Sequence, residues 1–320
     1  MLNKNLSALG FVKRMWKEAS YIIALIVLII FASIASSSFL QLTNVMNILR
    51  QASIVGIISL GMTFVIISGG IDLSVGSVLA VTGAILLSLQ ISGIPTWICI
   101  IIACLASAFI GFINGFVISK ARLAPFIVTL ATMTIARSLV IFITDGANII
   151  GNLADKGFAN IGGGKIWVIP VPALIFAVLV IIMAFILNKT KFGRYVYAVG
   201  GSEETALYSG IRVDRIKIAT YSLLGLMVGI ASTIEASRLA SVTSTSSGLY
   251  YEMDSIAAVI IGGTPLSGGR GKIYGTVVGV IILAIIGNIM NLVNVSPYLT
   301  GTVKGIIIIV AVMIQRREKA

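Results

Sequence analysis

Four carboxylates stand in or beside the long apolar runs of this sequence: Asp72, Glu235, Glu252 and Asp254. A carboxylate in such surroundings is energetically costly and by default marks a functional position. The chain has no histidine, which excludes histidine general bases, zinc-protease motifs and Ser-His-Asp triads. No nucleophile paired with a base and no metal-binding motif remains, so we expect no catalytic residue and no metal site.

A glycine-rich string, SGGRGK from Ser267 to Lys272, looks like a phosphate-binding loop but lacks its spacing. A Walker A motif has a glycine five residues before Gly271 and a serine or threonine after the lysine. The chain has Leu266 and Ile273 at those two positions. We therefore expect no nucleotide site in this chain.

The composition indicates a protein whose solvent is lipid. Of 320 residues, 58% are hydrophobic and 11% are charged, whereas soluble domains carry about 25% charged residues. At about 20 apolar residues per crossing, the chain can form about nine or ten transmembrane helices. The net charge of +12 is attributed to loops that set membrane topology rather than to nucleic-acid binding. Cys99 and Cys104 lie in one apolar run and are interpreted as packing residues.

We predict an all-α polytopic membrane protein with about ten transmembrane helices. The apolar cores of the spans are Tyr21–Ala35, Ile54–Ser68, Val75–Leu89, Trp97–Ile118, Phe126–Ile143, Val171–Leu187, Ile218–Ile234, Ser255–Ile261, Ile273–Val293 and Gly301–Ile314. The segments that this order puts on the inside hold fifteen Lys and Arg residues, against four on the outside. Because cytoplasmic loops are enriched in basic residues, both termini are predicted to be cytoplasmic.

Two of the spans run into similar glycine-rich strings. GGIDLSVG begins at Gly69 and GGTPLSGG begins at Gly262, and five of the eight positions are identical. The identical pairs are Gly69/Gly262, Gly70/Gly263, Leu73/Leu266, Ser74/Ser267 and Gly76/Gly269. Breaks at corresponding places of two halves point to a transport pathway, since the freed backbone groups must face protein or a wet cavity. We predict two broken-helix elements that form an internal repeat, parallel or inverted.

Asp72 is the acidic residue inside the first break. Its oxygens could cap free N–H groups of a helix that begins near Ser74. Alternatively, the carboxylate could line or gate a translocation pathway. Both interpretations stay open at this point.

The segment from Asn188 to Lys217 is predicted to be a cytoplasmic loop that holds a short capped helix, Glu203–Ser209. Gly200 and Gly201 are expected to break the chain, Ser202 to act as the N-cap and Gly210 to take the left-handed position after the helix. Glu203 and Glu204 complement the positive end of the helix. Seven residues are too few to be stable alone, so the helix needs a partner surface. Either the membrane or a second protein could supply it, because the basic flanks also suit anionic lipid.

Three long stretches of the chain resemble the permease subunits of ribose-type bacterial ABC sugar importers, the ribose and branched-chain amino acid permease family. They are GMTFVIISGGIDLSVGSVLAVTGA (61–84), KFGRYVYAVGGSEETALYSGIRVDRIK (191–217) and YEMDSIAAVIIGGTPLSGGRGKIYGT (251–276). The similarity covers nearly the whole chain in the same order and spacing. It is specific for the family and weak for the substrate.

The resemblance implies a single transmembrane permease domain over residues 1–320, with residues 188–217 as its coupling loop. It also implies a second permease copy or close paralogue, a cytoplasmic ATPase subunit that holds the ATP and Mg, and an extracytoplasmic sugar-binding protein. The family's coupling helix corresponds to Gly200, Gly201, Glu203, Glu204, Ala206, Ser209 and Gly210. The expected pathway residues are Gly69, Gly70, Asp72, Ser74, Gly262, Gly263 and Ser267.

The predicted function is therefore ATP-driven import of a monosaccharide across a bacterial plasma membrane by alternating access. The competing hypothesis is an ion-coupled secondary transporter or channel for a small polar solute. Such a protein would ordinarily bury coupling carboxylates within its spans. Asp72 and, at span ends, Glu235, Glu252 and Asp254 are the candidates for that role.

Overall fold

The computed structural model describes residues 22–152, 155–296, 299, 301–306 and 309. Its helices are α1 (Ile22–Ala35), α2 (Leu42–Ile67), α3 (Val75–Ile91), α4 (Thr96–Lys120), α5 (Pro125–Ile143), α6 (Lys156–Gly163), α7 (Val171–Lys189), α8 (Lys191–Gly201), α9 (Glu203–Tyr208), α10 (Val213–Leu239), α11 (Tyr251–Ile261) and α12 (Ile273–Leu292), followed by helical residues at 301–306. Its strands are β1 (Asn148–Ile150), β2 (Lys165–Ile166), β3 (Ile169–Pro170) and β4 (Ser241–Thr243). The strands form two small antiparallel pairs, β1 with β4 and β2 with β3.

Six of these helices are long and apolar enough to cross a membrane: α2, α4, α5, α7, α10 and α12. Three further predicted spans coincide with the shorter helices α1, α3 and α11, of 14, 17 and 11 residues. The tenth, Gly301–Ile314, is described only at residues 301–306 and 309, and the basic residues near both chain ends lie outside the described residues. A polytopic helical membrane protein is thus confirmed, and the number of crossings stays a prediction.

The long helices divide into a central and a peripheral group. Of the most apolar 18-residue stretch of each helix, 83% is buried in α2 and 67% in α10. The corresponding share is 17% in α7 and 22% in α4 and α5. The peripheral helices turn large apolar side chains outward, among them Trp97, Phe109 and Ile181. In a membrane protein such a face meets lipid or another subunit without cost. The central helices α2, α3 and α10 therefore hold the residues that need a protein environment.

Helices α4 and α10 cross with their backbones in contact. A Cβ added at Gly115 would lie 2.7 Å from the Cα of Ile218, and one at Gly229 would lie 2.7 Å from the Cα of Cys104. Gly111 and Gly225 likewise face the backbone of the opposite helix. Each helix thus carries two small residues four apart, the pattern that lets membrane helices approach closely. This contact fixes α4, and with it Asn114, against the centre of the molecule.

The segment between α5 and α7 ties three helices together at one end of the bundle. Asp155 is the N-cap of α6, where its Oδ1 accepts a hydrogen bond from the Phe158 amide at 3.0 Å, and its Oδ2 accepts one from Thr96. These bonds lower the pKa of Asp155 below its ordinary value. The Gly162 amide donates to Ser237 Oγ on α10 at 2.7 Å. The opposite end of the bundle carries the two glycine-rich breaks.

Candidate translocation and coupling site

The first break follows α2 and is closed by backbone hydrogen bonds. Gly69 has φ +83°, a left-handed conformation that glycine adopts without strain. The Gly69 amide donates to Ile66 O at 3.0 Å and the Gly70 amide to Val65 O at 2.9 Å. This pair of bonds is the Schellman motif, which satisfies carbonyl groups at the end of a helix. The break is therefore an ordered turn and not an open gap in the backbone.

The second break repeats this geometry after α11. Gly263 has φ +89°, and its amide donates to Ile260 O at 2.8 Å, while the Thr264 amide donates to Val259 O at 3.1 Å. The matched geometry pairs Gly69 with Gly263, one residue away from the sequence alignment, which paired Gly69 with Gly262. Gly262 is the C-cap of α11 and lies against the backbone of Gly275 in α12. The two glycines of this string thus have different tasks, conformational freedom at Gly263 and close helix packing at Gly262.

Beyond the turn the two copies diverge. Helix α3 begins at Val75, six residues after Gly69, whereas α12 begins at Ile273, ten residues after Gly263. Gly76 consequently lies inside α3, while its sequence equivalent Gly269 lies in the longer loop with φ +76°. Ser267 is exposed in this loop, whereas Ser74 is buried as the N-cap of α3. The similarity therefore holds for the helix ends and not for the segments that follow.

The two breaks lie against each other. The Gly269 amide donates to Ile67 O, the last residue of α2, at 2.9 Å. A Cβ added at Gly268 would lie 3.0 Å from the amide nitrogen of Gly69. One helical turn inward, the hydroxyls of Thr63 and Thr276 share a hydrogen bond of 2.8 Å. The breaks after α2 and α11 thus form one structural unit, which we call the break junction (67–70 and 268–271).

Helix α8 lies directly on the break junction. A Cβ at Gly200 would overlap Ile67 O and lie 2.7 Å from the amide nitrogen of Gly269. The phenol of Tyr197 donates to Gly271 O at 2.7 Å. Burial raises the pKa of this phenol above its ordinary value of 10.0, with Lys272 acting in the opposite direction, so the phenol remains a donor at neutral pH. One helix therefore contacts both breaks.

The sequence prediction for Gly200 and Gly201 was wrong in one respect. Both residues belong to α8, and the chain breaks at Ser202, whose φ is −164°. Gly200 is needed because no side chain fits between α8 and Ile67, whereas a Cβ at Gly201 would meet nothing within 4 Å. Close packing, not a change of chain direction, explains the first glycine.

The short helix α9 forms almost as predicted. It spans Glu203–Tyr208, with Ser202 Oγ accepting a hydrogen bond from the Thr205 amide at 3.1 Å. Ser209 is its C-cap and Gly210 has φ +78°, so the helix ends one residue earlier than expected. On the inner side Ala206 is 3% exposed.

Most of α9 faces away from the protein. Leu207 is 62% and Tyr208 82% exposed, and Glu204 is also exposed. Glu203 forms an ion pair of 2.5 Å with Lys217 at the start of α10. The helix is thus held on one side and presents an apolar, aromatic surface on the other, as expected of a segment that contacts a partner.

Asp72 is 3% exposed and lies in a polar cluster between α3, α4 and α10. Its Oδ1 accepts hydrogen bonds from the Ser74 amide at 2.8 Å and the Ser74 hydroxyl at 2.6 Å. Asn114 donates to Asp72 Oδ2 at 3.4 Å and to Ser74 Oγ at 3.2 Å, and accepts from Thr132 at 2.6 Å. Asp72 therefore stabilises the turn before α3 as an Asx turn and is connected to α4 and α5.

Three members of this environment were not predicted from the sequence. Asn114 and Thr132 contribute the amide and hydroxyl described above, and Tyr221 on α10 donates its phenol to Ile71 O at 3.0 Å. Gly70 leaves room for that phenol, since a Cβ there would lie 2.6 Å from the Tyr221 oxygen. A lone Asn within a long apolar helix was the available signal for Asn114.

A small cavity of about 10 Å³ adjoins the carboxylate of Asp72. Ser74, Ser107 and Asn114 contribute to its wall, and Ser107 Oγ is buried without a hydrogen-bond partner. The volume is about that of one water molecule. The structure is therefore closed at this level, and a larger solute could pass Asp72 only after α3, α4 and α10 separate.

Within the described residues, no group of three or more His, Cys, Asp and Glu side chains could hold a metal ion. The site is instead built to transmit movement. It consists of two helix breaks, a helix that contacts both, and a neighbouring helix with an exposed apolar surface. Broken membrane helices of this kind characterise transport permeases.

Comparison with known proteins agrees with this class. Residues 44–312 match the family described as branched-chain amino acid transport system / permease component, and the chain belongs to this family. It is 47% identical over 298 residues to the ribose import permease protein RbsC of Bacillus subtilis, covering 93% of this chain and 92% of that protein. It is 37% identical over 311 residues to the L-arabinose transport system permease protein AraH of Escherichia coli, covering 96% and 93%. It is 33% identical over 301 residues to the D-allose transport system permease protein AlsC of Escherichia coli, covering 94% and 91%.

No solved structure matches the chain significantly. The family assignment confirms the resemblance drawn from the three sequence stretches. The chain is a multi-pass membrane permease component of a transport system and not an enzyme.

Proposed function

We propose that this chain is the membrane-spanning subunit of an ABC importer that carries a monosaccharide into the cytoplasm. The observation that carries the proposal is the position of Gly200, where α8 contacts Ile67 and Gly269 at the same point. A force applied to α8 and α9 would reach both helix breaks at once. The names of the relatives support a sugar, since they specify ribose import, L-arabinose transport and D-allose transport, although the family description names branched-chain amino acids.

We propose three partners, and two of them are assigned to surfaces that the chain presents. A cytoplasmic ATPase subunit binds α9 through Leu207 and Tyr208 and supplies the ATP and Mg. An extracytoplasmic sugar-binding protein delivers the solute at the opposite end. A second copy of this chain or a close paralogue covers part of the apolar face formed by α4, α5 and α7.

The proposed topology has both termini in the cytoplasm of a bacterial cell, with ten crossings of the plasma membrane and residues 1–320 as one transmembrane domain. Residues 188–217 then form the cytoplasmic coupling loop. The matched turns at Gly69 and Gly263 support an internal repeat of broken helices. In this orientation the break junction lies on the cytoplasmic side.

Transport would proceed by alternating access. In the closed arrangement around Asp72, the turn is held by Ser74 and Asn114 and the adjoining cavity admits about one water. Closure of the ATPase would move α9, and α8 would transmit the motion to the break junction. Because α2 ends at that junction and α11 leads into it through residues 262–267, both would shift together and alter the space beside α3, α4 and α10.

Reconstitution in liposomes tests this function. We expect uptake of D-ribose, L-arabinose or D-allose only when the ATPase subunit, the binding protein and internal ATP are all present. L-leucine should not be taken up. Uptake by this chain alone, driven by an ion gradient, would contradict the proposal and favour the secondary transporter.

We propose that Asp72 also lines the opening pathway, and Asp72→Asn tests this role. The variant keeps a side-chain oxygen to accept the Ser74 hydrogen bonds, so the turn should fold, but it removes the charge that an opening pathway would hydrate. We expect unchanged assembly with the ATPase and a decrease in uptake of about tenfold or more, equivalent to about 1.4 kcal/mol.

Asp145→Asn is the control for this variant, because Asp145 is an exposed aspartate in the loop after α5, outside both the break junction and the coupling loop. It should transport normally. If Asp72→Asn also transported normally, the Asx turn would be the whole role of Asp72.

A further inference from the structure

A cavity of about 230 Å³ lies between α2, the end of α10, α11, α12 and the helical residues at 301–306. Its walls include the polar side chains of Gln51, Arg238, Tyr251, Asp254 and Lys304, together with apolar residues of α2 and α12. Gln51 precedes Ile67 by sixteen residues on α2, which is about 24 Å at about 1.5 Å per residue. The cavity is thus remote from the break junction, and on the proposed topology it faces the outside.

The size of the cavity suits a small solute. It is below the range of about 300 to 1,000 Å³ typical of sites for drug-sized ligands. A cavity of about 150 Å³ can hold benzene, which corresponds to about 25 Å³ per non-hydrogen atom. On this scale the cavity holds about nine non-hydrogen atoms, close to the roughly ten of a pentose.

The charged side chains that line the cavity, together with Glu235 directly behind its wall, sum to zero. Lys304 Nζ and Asp254 Oδ2 form an ion pair of 2.6 Å, with the side chains 25% and 10% exposed. Arg238 is half-buried and attracts the carboxylate of Glu235, which is 4% exposed and lies next to Tyr251. Two cations and two carboxylates leave no net charge when all four are ionised. Such a site favours an uncharged ligand, because an ion would be desolvated without a counter-charge.

The polar groups also match a polyhydroxylated ligand. A carboxylate accepts hydrogen bonds from hydroxyl groups, the ammonium and guanidinium groups donate to them, and the Gln51 amide can do both. The ring of Tyr251 offers an apolar surface for C–H groups. The ion pair between Lys304 and Asp254 stays intact while the ligand is bound. Neither charge is then left isolated, which would be costly.

The two helices that line this cavity also carry the breaks. Tyr251 and Asp254 belong to α11, which ends at the turn of Gly263, and Gln51 belongs to α2, which ends at the turn of Gly69. Because a helix transmits displacement along its axis, a ligand in the cavity bears on the same elements as α8.

We propose that this cavity is the site where the permease holds an uncharged monosaccharide on its outer side, with Gln51, Asp254 and Lys304 contacting the hydroxyl groups. The inference rests on the proposed sugar import. It adds a binding site within the permease itself, distinct from the polar cluster at Asp72.

Cysteine protection tests the site directly. In the assembled complex with Cys99 and Cys104 replaced by alanine, Gln51→Cys should react with a membrane-impermeant maleimide. D-ribose at twice its dissociation constant should slow this reaction about threefold, and L-leucine should not. Asn47→Cys, an exposed position one turn earlier on α2 and outside the cavity, should react at an unchanged rate.

A second variant tests the ion pair. The double substitution Asp254→Asn and Lys304→Met removes both charges together and should abolish protection of Gln51→Cys and lower uptake about tenfold, with ATPase binding retained. The matched control is Lys165→Met with Asp145→Asn, which removes one exposed cation and one exposed carboxylate outside the cavity and should leave both measurements unchanged.

The outcomes separate the two proposals. Lack of protection at both Gln51→Cys and Val55→Cys, the second a lining position without an assigned sugar contact, in a complex that imports sugar with ATP would overturn the site and leave the function intact. Protection in a complex without ATP-driven uptake would support the site and overturn the proposed function. If the double variant does not assemble, protection of Val55→Cys, with all three proposed sugar contacts retained, still decides the question.

Discussion

Replacing Gly200 by valine is expected to abolish ATP-driven uptake while the ATPase remains bound. A Cβ at this position overlaps Ile67 O and approaches the amide of Gly269, so the larger side chain must push α8 away from the break junction. Overpacking of this kind costs about 1 to 3 kcal/mol. The exposed surface of α9 is not altered, and the ATPase should therefore still bind and hydrolyse ATP.

Gly201→Val is the matched control for Gly200→Val. It places the same side chain one residue further along α8, where a Cβ meets nothing within 4 Å. We expect near-normal uptake. Full uptake by Gly200→Val, or equal loss in both variants, would contradict transmission through the Gly200 contact. Uptake should be measured together with ATP hydrolysis by the purified complex, because the expected defect separates the two.

Charge introduced on α9 is expected to remove the ATPase from the complex. Leu207→Asp combined with Tyr208→Asp converts the two most exposed apolar side chains of α9 into carboxylates. The few hot-spot residues near the centre of a protein interface cost about 2 kcal/mol or more each when they are truncated. A loss of about 2 kcal/mol already weakens binding about 30-fold. Co-purification of the tagged permease in mild detergent measures the effect.

Trp167→Asp provides the comparison for the α9 variant. Trp167 is 97% exposed in the turn between β2 and β3, on the opposite proposed side of the membrane. It tests whether any exposed aromatic residue affects recovery of the complex, and it should leave ATPase binding unchanged. Retention of the ATPase by the α9 variant would show that α9 is not the docking surface, and lipid would become its partner.

Local sequence was sufficient for the elements whose stability depends on neighbours along the chain. Helix α9 was placed within one residue, because Ser202 and Gly210 are cap residues that act over three to five positions. The ends of α2 and α11 were recognisable for the same reason. Composition alone established the membrane class, and the long stretches of resemblance established the family.

The contacts between distant segments could not be read in the same way. The hydrogen bond from Gly269 to Ile67 joins residues about two hundred positions apart, and Gly200 reaches both from a third segment. The residues next to Gly200 in the sequence do not show whether this glycine ends a helix or lets another backbone approach. The one-residue change in the repeat, from Gly262 to Gly263 as the partner of Gly69, has the same origin.

The sequence by itself determined that this protein lies in lipid, that it belongs to a permease family, and that two helices break at glycine-rich turns beside a short capped helix. These features depend on composition and on interactions over a few residues. Only the tertiary structure decided that the two breaks touch, that α8 contacts both, and that Asp72 is linked to Asn114 and Thr132. The physical reason is that one face of an apolar helix can pack against protein or lipid equally well, so the choice is made by the close backbone contacts that the assembled helices allow.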